Sequence, residues 1–140
     1  MLGARELGGK LVSRNPAELR VLNEIQEIEE TFELCFEIPF TSYRKRMSVV
    51  LRQHGEYFVF TKGSDSVIMP RINFEYERED QFKSGVETHL YEFAKQGLRV
   101  LVFGGRRIPE EDYEYFKKEL DRIQSLKGSM RDNHLHSLYD

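Results

Sequence analysis

The chain of 140 residues lacks several features that would restrict its class. Its single cysteine, Cys35, cannot form an internal disulfide, which fits a reducing compartment. No apolar run approaches the roughly 20 residues that a bilayer-spanning helix needs. The N-terminus also lacks the apolar core of a secretory signal. These absences predict a soluble, disulfide-free chain of one-domain length.

The chain also lacks a strong excess of either charge, because its 21 Lys and Arg residues and 24 Asp and Glu residues leave a formal net charge of −3. Domains that bind nucleic acid usually carry a positive excess, so the balance argues against a nucleic-acid partner. Hydrophobic residues make up 39% of the chain, which is enough for a buried core.

Several common binding motifs are missing as well. The histidines show no metal-site spacing with one another or with Cys35; they are His54, His89, His134 and His136. Gly104-Gly105 is not followed by the further glycine of a dinucleotide fingerprint. The Gly-rich loop ending in Lys-Ser or Lys-Thr that cradles phosphates in P-loop enzymes is absent too.

Two central stretches, Met47–Arg52 and Tyr57–Lys62, alternate between apolar and polar residues with a period of two. The residues between them, Gln53–Glu56, include Gly55, which suits a turn that needs a positive φ. The pattern predicts a β-hairpin.

Other elements follow from apolar spacing and from helix-end residues. We expect strands over Thr31–Ile38 and Leu98–Phe103, a helix over Ser84–Gln96 and a helix opened by Pro109, with shorter helices around Ala4–Leu7 and from Ser64 or Asp65 to about Met69. Gly97 is expected to end the Ser84–Gln96 helix, whose apolar stripe contains Val86, Leu90, Phe93 and Ala94. The inner face of the helix after Pro109 is expected to contain Tyr113, Phe116, Leu120 and Ile123.

The remaining segments are less patterned. Pro16–Glu30 fits helical spacing, although we favour a strand near Leu19–Leu22. Asn73–Lys83 is charged and predicts a solvated loop, and Lys127-Gly128 is expected to end the last helix. The predicted fold is α+β, with an antiparallel sheet flanked by helices. We expect a single domain over residues 1–140, with a core of about 4–126 and a frayed tail over 127–140.

Basic residues lie at both ends of the predicted hairpin: Arg44-Lys45-Arg46 at its entrance and Lys62-Gly63 at its exit. Pairing of the strands would bring Phe40, Lys45 and Lys62 to one end of the sheet. An aromatic ring with two ammonium groups suits a nucleotide, which offers a base and phosphates. Each feature also has a plainer interpretation: a core phenylalanine, a solvated strand-end lysine, and a solvated basic face or nonspecific anion patch.

Three motifs in this order resemble the nucleotide-binding domain of P-type ATPases, most of all the phospholipid-transporting branch. The resemblance covers roughly Ala4 to Leu126. The motifs are Phe40-Thr41-Ser42 followed by Arg44-Lys45-Arg46-Met47-Ser48-Val49, then Lys62-Gly63-Ser64-Asp65, then Gly97-Leu98-Arg99-Val100-Leu101. The family more often has alanine at the position of Ser64, a small departure that leaves the site in place.

The resemblance implies that the domain binds ATP. It assigns adenine stacking to Phe40, a place in the nucleotide pocket to Lys45 and Lys62, and phosphate contacts to Arg99. Gly63 would let the ligand approach closely, and Thr41 and Ser42 could donate hydrogen bonds to it. A salt bridge to Glu or Asp is the alternative interpretation of Arg99.

The resemblance also implies what must lie elsewhere. The family's phosphorylated aspartate sits in an Asp-Lys-Thr-Gly context that this chain does not contain. We therefore expect no catalytic residue in this chain. The resemblance implies a monomeric domain on the cytoplasmic face of a membrane, and its partners would be ATP and the phosphorylation and actuator domains of the parent pump. Mg²⁺ would accompany the nucleotide, held mainly by other parts of the parent. We expect sub-millimolar to millimolar affinity for ATP, largely independent of Mg²⁺, since a dissociation constant of ~1 mM corresponds to only about −4.1 kcal/mol.

Two alternatives remain open at this stage. The same fold could belong to a cation-transporting pump, since this domain does not touch the cargo. A different class would be an interaction module that uses its basic edge to hold an acidic protein or RNA and binds no nucleotide.

Overall fold

A computed structural model describes residues 2–73, 79–126, 134–135 and 138–139. Six strands form one antiparallel sheet in which each strand pairs with its neighbour in the chain, in the order β1-β2-β3-β4-β5-β6. The strands are β1 (Gly9–Arg14), β2 (Glu18–Asn23), β3 (Ile28–Ile38), β4 (Arg46–Gln53), β5 (Glu56–Gly63) and β6 (Val102–Ile108). Together with the helices, the sheet confirms the predicted α+β class.

The helices are α1 (Leu2–Glu6), α2 (Asp65–Ile68), α3 (Glu79–Lys95) and α4 (Glu110–Gln124), and a 3₁₀ turn over Met69–Arg71 extends α2. Pro109 is the N-cap of α4, and three acidic residues follow it in the first turn, where they favour the helix dipole. No helix within these described ranges combines the length and the hydropathy that a bilayer crossing requires.

The ambiguous segment after Pro16 forms strand β2, as we favoured, with Leu19 opposite Phe32 on β3. Strand β1 was not predicted, and it pairs with β2 through a register shift between Leu11 and Ser13. Such a bulge twists an edge strand and protects it from further pairing.

The predicted hairpin of β4 and β5 is confirmed, including its turn. His54 and Gly55 both adopt positive φ, at 50° and 84°, which is the backbone of a two-residue type I′ turn. This turn fixes the register of the two strands, and therefore which residues stand opposite one another at the far end of the hairpin.

Three predicted boundaries were wrong. Strand β6 covers Val102–Ile108 rather than Leu98–Phe103. Helix α3 begins at Glu79, so the end of the predicted Asn73–Lys83 loop is helical, while residues 74–78 of that loop lie outside the described residues. Helix α4 ends at Gln124, and the predicted terminator Lys127-Gly128 lies outside the described residues.

The apolar stripe predicted for α3 is only partly covered. Val86 and Leu90 are half-buried, whereas Phe93 is 44% exposed and Ala94 is also exposed. Gly97 ends the helix as predicted, with a φ of 74° and a hydrogen bond from the Leu98 N–H to the Phe93 carbonyl.

The described residues form two compact units. The first unit takes those within Met1–Ile38, Val49–Val59 and Arg106–Asp140. Its core joins Val50, Tyr57 and Tyr113, and the rings of Tyr57 and Tyr113 stack with centroids 3.9 Å apart. The predicted inner face of α4 is confirmed, since Tyr113, Leu120 and Ile123 are buried and Phe116 is half-buried.

The second unit takes the described residues within Pro39–Ser48 and Phe60–Gly105. It contains all the residues proposed from the sequence for nucleotide binding. They are Phe40, Thr41, Ser42, Lys45, Lys62, Gly63 and Arg99.

Candidate functional site

The turn between β3 and β4 presents Phe40 at the surface of the second unit. The Phe40 side chain is 55% exposed, so the alternative of a core phenylalanine is wrong. Behind the ring, the Lys45 N–H donates to the Thr41 carbonyl at 2.8 Å, and the Arg44 N–H donates to Thr41 Oγ1 at 3.1 Å. These two hydrogen bonds define the path of the turn, in which Phe40 stays exposed.

Gly63, the last residue of β5, touches the start of β4. A Cβ atom added to Gly63 would lie 2.6 Å from the Lys45 carbonyl oxygen and 2.7 Å from Arg46 Cβ. The glycine is therefore required by the approach of β4, whereas the family resemblance had suggested the approach of a ligand. The Ser64 N–H also donates to the Lys45 carbonyl at 3.2 Å. The Phe40–Lys45 turn is thus fixed against the end of β5.

Lys45 and Lys62 are both exposed at this junction. Lys45 adopts a φ of 52°, a left-handed backbone that costs a residue with a side chain of this kind about 1 kcal/mol or more. On β5, Lys62 alternates in direction with Thr61, whose hydroxyl hydrogen-bonds Ser48 Oγ across the hairpin at 2.8 Å. The exposed side chains of Lys45 and Lys62 therefore belong to residues at, or next to, the contact between Gly63 and the Lys45 backbone.

The flanking arginines do not form the solvated basic face considered above. Arg44 is 3% exposed and Arg46 is 6% exposed. Arg44 Nη1 donates to the carbonyl oxygens of Pro39 at 3.3 Å and Arg46 at 3.4 Å, and Arg46 Nη1 donates to the Arg44 carbonyl at 3.4 Å. Of the Arg-Lys-Arg run, Lys45 alone is exposed.

Arg99 lies outside the regular strand in which it was expected. It follows the end of α3 and precedes Val102, the first residue of β6, by three positions. Because β5 and β6 are antiparallel neighbours, the start of β6 lies beside the end of β5. Arg99 is thereby placed toward the end of the sheet that carries Lys62, and it is exposed.

The salt-bridge alternative for Arg99 finds no support among the described residues. The ion pairs found in that part of the chain involve other arginines, namely Arg5, Arg14, Arg20, Arg52, Arg107 and Arg122. Ser42 is exposed beside Phe40, and the half-buried Thr41 uses its hydroxyl oxygen as an acceptor within the turn.

Two exposed rings in the second unit were not predicted from the sequence. Phe60 is 46% exposed and precedes Lys62 by two positions, so the strand period places both side chains on one face of β5. Tyr43 is 72% exposed within the Phe40–Lys45 turn. The period of two could have identified Phe60, whereas no pattern distinguishes Tyr43.

For metal ions, the described residues provide no cluster of three or more His, Cys, Asp or Glu side chains. The expectation that Mg²⁺ travels with the nucleotide and is held mainly by other parts of the parent protein stays a prediction.

Comparison with known proteins shows the family of the chain. The sequence profile of the family described as P-type ATPase, cytoplasmic domain N, matches residues 9–138. Similar proteins include the probable phospholipid-transporting ATPase 4 of Arabidopsis thaliana, 32% identical over the whole chain, and the phospholipid-transporting ATPase DRS2 of Saccharomyces cerevisiae, 34% identical over 97% of it. The phospholipid-transporting ATPase IG of Homo sapiens is 33% identical over 84% of the chain.

This chain is much shorter than those relatives, since it spans 12% of the Arabidopsis protein and 10% of the yeast and human proteins. The match to the N-domain profile nevertheless extends over nearly the entire chain, and the relatives confirm the resemblance to the phospholipid-transporting branch. The chain therefore belongs to the P-type ATPase family as a cytoplasmic N domain, and it is similar to the N domains of phospholipid-transporting ATPases.

Proposed function

We propose that this domain binds ATP and presents its γ-phosphate to the phosphorylation domain of a phospholipid-transporting pump. Adenine would stack on Phe40, and the phosphates would extend toward Lys45, Lys62 and Arg99. Thr41 and Ser42 would contribute hydrogen bonds, and Gly63 would keep the two halves of the site together.

The observation that carries this proposal is the junction of the Phe40–Lys45 turn with the end of β5. The hydrogen bond from Ser64 to the Lys45 carbonyl and the close packing of Gly63 hold the turn that carries the exposed Phe40 and Lys45 against the strand end that carries the exposed Lys62. Such a fixed arrangement offers a π-face to a base and charges to phosphates without a large ordering cost on binding.

The chemistry proposed for this domain is positioning. A bound triphosphate held in one orientation reacts more readily with a group on a neighbouring domain, because orientation is fixed before the reaction. ATP affinity should be weak, near ~1 mM, because exposed cations act in a high dielectric and are screened by salt. Mg²⁺ would accompany the phosphates and neutralise part of their charge.

The names of the relatives supply the wider setting of the proposal. We infer that the parent protein is an ATP-driven phospholipid translocase, and that this domain is a monomer at the cytoplasmic face of its membrane. Its partners would be ATP and the pump's phosphorylation and actuator domains. A cation-transporting parent is less favoured, because the similar proteins named above are all phospholipid-transporting ATPases.

The interaction-module alternative is weakened by the burial of two of its cations. An acidic protein or RNA would need a continuous basic edge. With Arg44 and Arg46 buried and bonded to backbone carbonyls, that edge is reduced to Lys45 at this position.

An NMR titration of the ¹⁵N-labelled domain tests the proposal. ATP should shift the amide signals of Phe40, Lys45, Lys62 and Arg99, whereas Lys10 and Tyr115 in the first unit should not move. The titration is repeated without Mg²⁺, with an RNA oligonucleotide and with an acidic peptide. Shifts produced by RNA or peptide but not by ATP would contradict the proposal.

A further inference from the structure

Two buried arginines surround Lys45 in a reciprocal arrangement. Arg44 donates through Nη1 to the Arg46 carbonyl, and Arg46 donates through Nη1 to the Arg44 carbonyl, each at 3.4 Å. Arg44 Nη1 also donates to the Pro39 carbonyl at 3.3 Å. The Arg44 guanidinium therefore connects the residue before Phe40 to the first residue of β4.

A guanidinium placed in this way offers little surface to a phosphate. Arg44 is 3% exposed, and part of its hydrogen-bonding capacity is directed at carbonyl oxygens of its own turn. Burying a charge is costly unless polar partners compensate it, so these bonds are needed to keep Arg44 in place. Its contribution to a ligand must pass through the backbone that it holds.

The backbone in question is that of Phe40. The Pro39 carbonyl immediately precedes the ring, and the Thr41 hydroxyl on its other side accepts the Arg44 N–H at 3.1 Å. Arg44 thus contacts the chain on both sides of Phe40, once through its side chain and once through its backbone. An exposed aromatic side chain with both flanking residues fixed has a defined direction before any ligand arrives.

We propose that Arg44 is a positioning residue that sets the Phe40 ring for adenine and makes no contact with the phosphates. This inference rests on the proposed function, because it concerns the same nucleotide site. Within the basic run, Lys45 faces the ligand and Arg44 holds the turn. If Arg44 positions the ring, its replacement should weaken the binding of every adenine ligand equally. If Arg44 binds phosphate, the loss of affinity should grow with the number of phosphates on the ligand.

The experiment measures dissociation constants for adenosine, AMP, ADP and ATP by NMR titration, on the wild type, Arg44→Gln and Lys45→Gln. For Arg44→Gln we expect about a fivefold loss of affinity that is equal for all four ligands and independent of salt. All four ligands contain adenine, and a ring that is held less firmly should weaken the stacking of that base by about the energy of one hydrogen bond. For Lys45→Gln the loss should be absent with adenosine, grow with each phosphate and diminish at high salt.

A double-mutant cycle with Phe40→Ala supplies a second readout. If Arg44 acts through the ring, Arg44→Gln should cause no further loss of affinity in the Phe40→Ala background. Additive losses would overturn the proposal. A loss of affinity in Arg44→Gln that increases from adenosine to ATP would also overturn it. The same holds if Arg44→Gln binds as tightly as the wild type while Phe40→Ala binds weakly.

Amide spectra establish whether each variant is folded. Should Arg44→Gln not fold, Arg44→Lys keeps the buried charge but replaces the planar guanidinium by a single ammonium group, and the same four ligands are titrated. Uniform weakening across the four ligands by Arg44→Lys supports the proposal, and a phosphate-dependent loss overturns it. If the wild type binds none of the four ligands, the proposed function itself fails.

Discussion

The two compact units of this domain use aromatic rings in opposite ways. In the first unit, the rings of Tyr57 and Tyr113 stack with their centroids 3.9 Å apart, and the centroids of the Phe36 and Tyr113 rings are 5.6 Å apart. In the second unit, Phe40 leaves 55% of its surface exposed. The faces of the first set are covered by protein and contribute to folding, whereas the face of Phe40 remains available for binding.

Arginines show the reverse contrast. In the first unit they form surface ion pairs, such as Arg14 with Glu37 at 2.7 Å and Arg52 with Glu33 at 3.5 Å. Exposed pairs of this kind are worth about 0–1 kcal/mol. In the second unit Arg44 and Arg46 are buried and donate to backbone carbonyls. Two buried arginines thus accompany the exposed Phe40 ring in the second unit, while Lys45, Lys62 and Arg99 stay exposed.

The largest effect expected on either side of this comparison is the loss of Tyr113. Tyr113→Ala removes the ring that stacks on Tyr57 and should lower the free energy of unfolding by about 3–5 kcal/mol, measured by urea denaturation. Tyr115→Ala is the matched control, because Tyr115 lies on the same helix and is 68% exposed. It should change stability by less than about 0.5 kcal/mol. Equal effects of the two variants would contradict the assignment of the core.

A smaller effect is expected from Gly63→Ala in the second unit. The new Cβ would lie 2.6 Å from the Lys45 carbonyl, so β4 and β5 must separate, at about 1–3 kcal/mol of stability. Because the same contact fixes the turn, ATP affinity should fall together with stability. Gly85→Ala in α3 is the control: no atom lies within 4 Å of its added Cβ, and helix propensity should raise stability by up to about 1 kcal/mol. Unchanged stability and affinity in Gly63→Ala would refute this account of the junction.

A third effect, smaller again, concerns alkaline pH and the first unit. Burial raises the pKa values of the Cys35 thiol and of the Tyr57 and Tyr113 phenols. The folded state therefore favours the neutral forms, while unfolded Cys and Tyr ionise near about 8.5 and about 10. This stability should be complete below pH ~8.5 and be lost as the pH rises through the folded pKa values.

Urea midpoints measured from pH 7 to pH 11 check this expectation. Cys35→Ala should remove the first part of the decline, between about pH 8.5 and pH 10, and leave the tyrosine part in place. A midpoint that stayed constant up to pH 11 would show that burial does not favour the neutral forms of these groups.

The sequence predicted the elements whose apolar pattern is regular. The alternation in Thr31–Ile38 and in Tyr57–Lys62 was confirmed, since β3 and β5 each have one face that is more covered than the other, whereas β4 is covered on both faces up to Leu51. Strand β1 was missed because Gly8-Gly9 and exposed Lys10 resemble a loop. Strand β6 was placed too early: its Gly104-Gly105-Arg106-Arg107 stretch is an edge strand without alternation, whereas the apolar Leu98–Leu101 run lies before it.

Within the candidate site, the exposure of Phe40 was expected from the family resemblance, because the sequence pattern alone equally allowed a core phenylalanine, and Lys62 was expected at an exposed strand end. The burial of Arg44 and Arg46 was not, because charged residues in a turn are usually solvated. Their acceptors are backbone carbonyls of Pro39, Arg44 and Arg46, which become available only when the turn has its folded shape. Likewise, Gly63 could be recognised as a constrained position, but the strand that constrains it is known only from the fold.

The Phe40→Ala variant, studied by ATP titration and urea denaturation in parallel, tests the central claim most directly. An exposed ring kept for a base should reduce ATP affinity by about 1–3 kcal/mol when it is removed. The free energy of unfolding should change by less than about 0.5 kcal/mol. Wild-type ATP affinity in Phe40→Ala, or a stability loss as large as that of Tyr113→Ala, would contradict the claim that the second unit reserves this ring for binding.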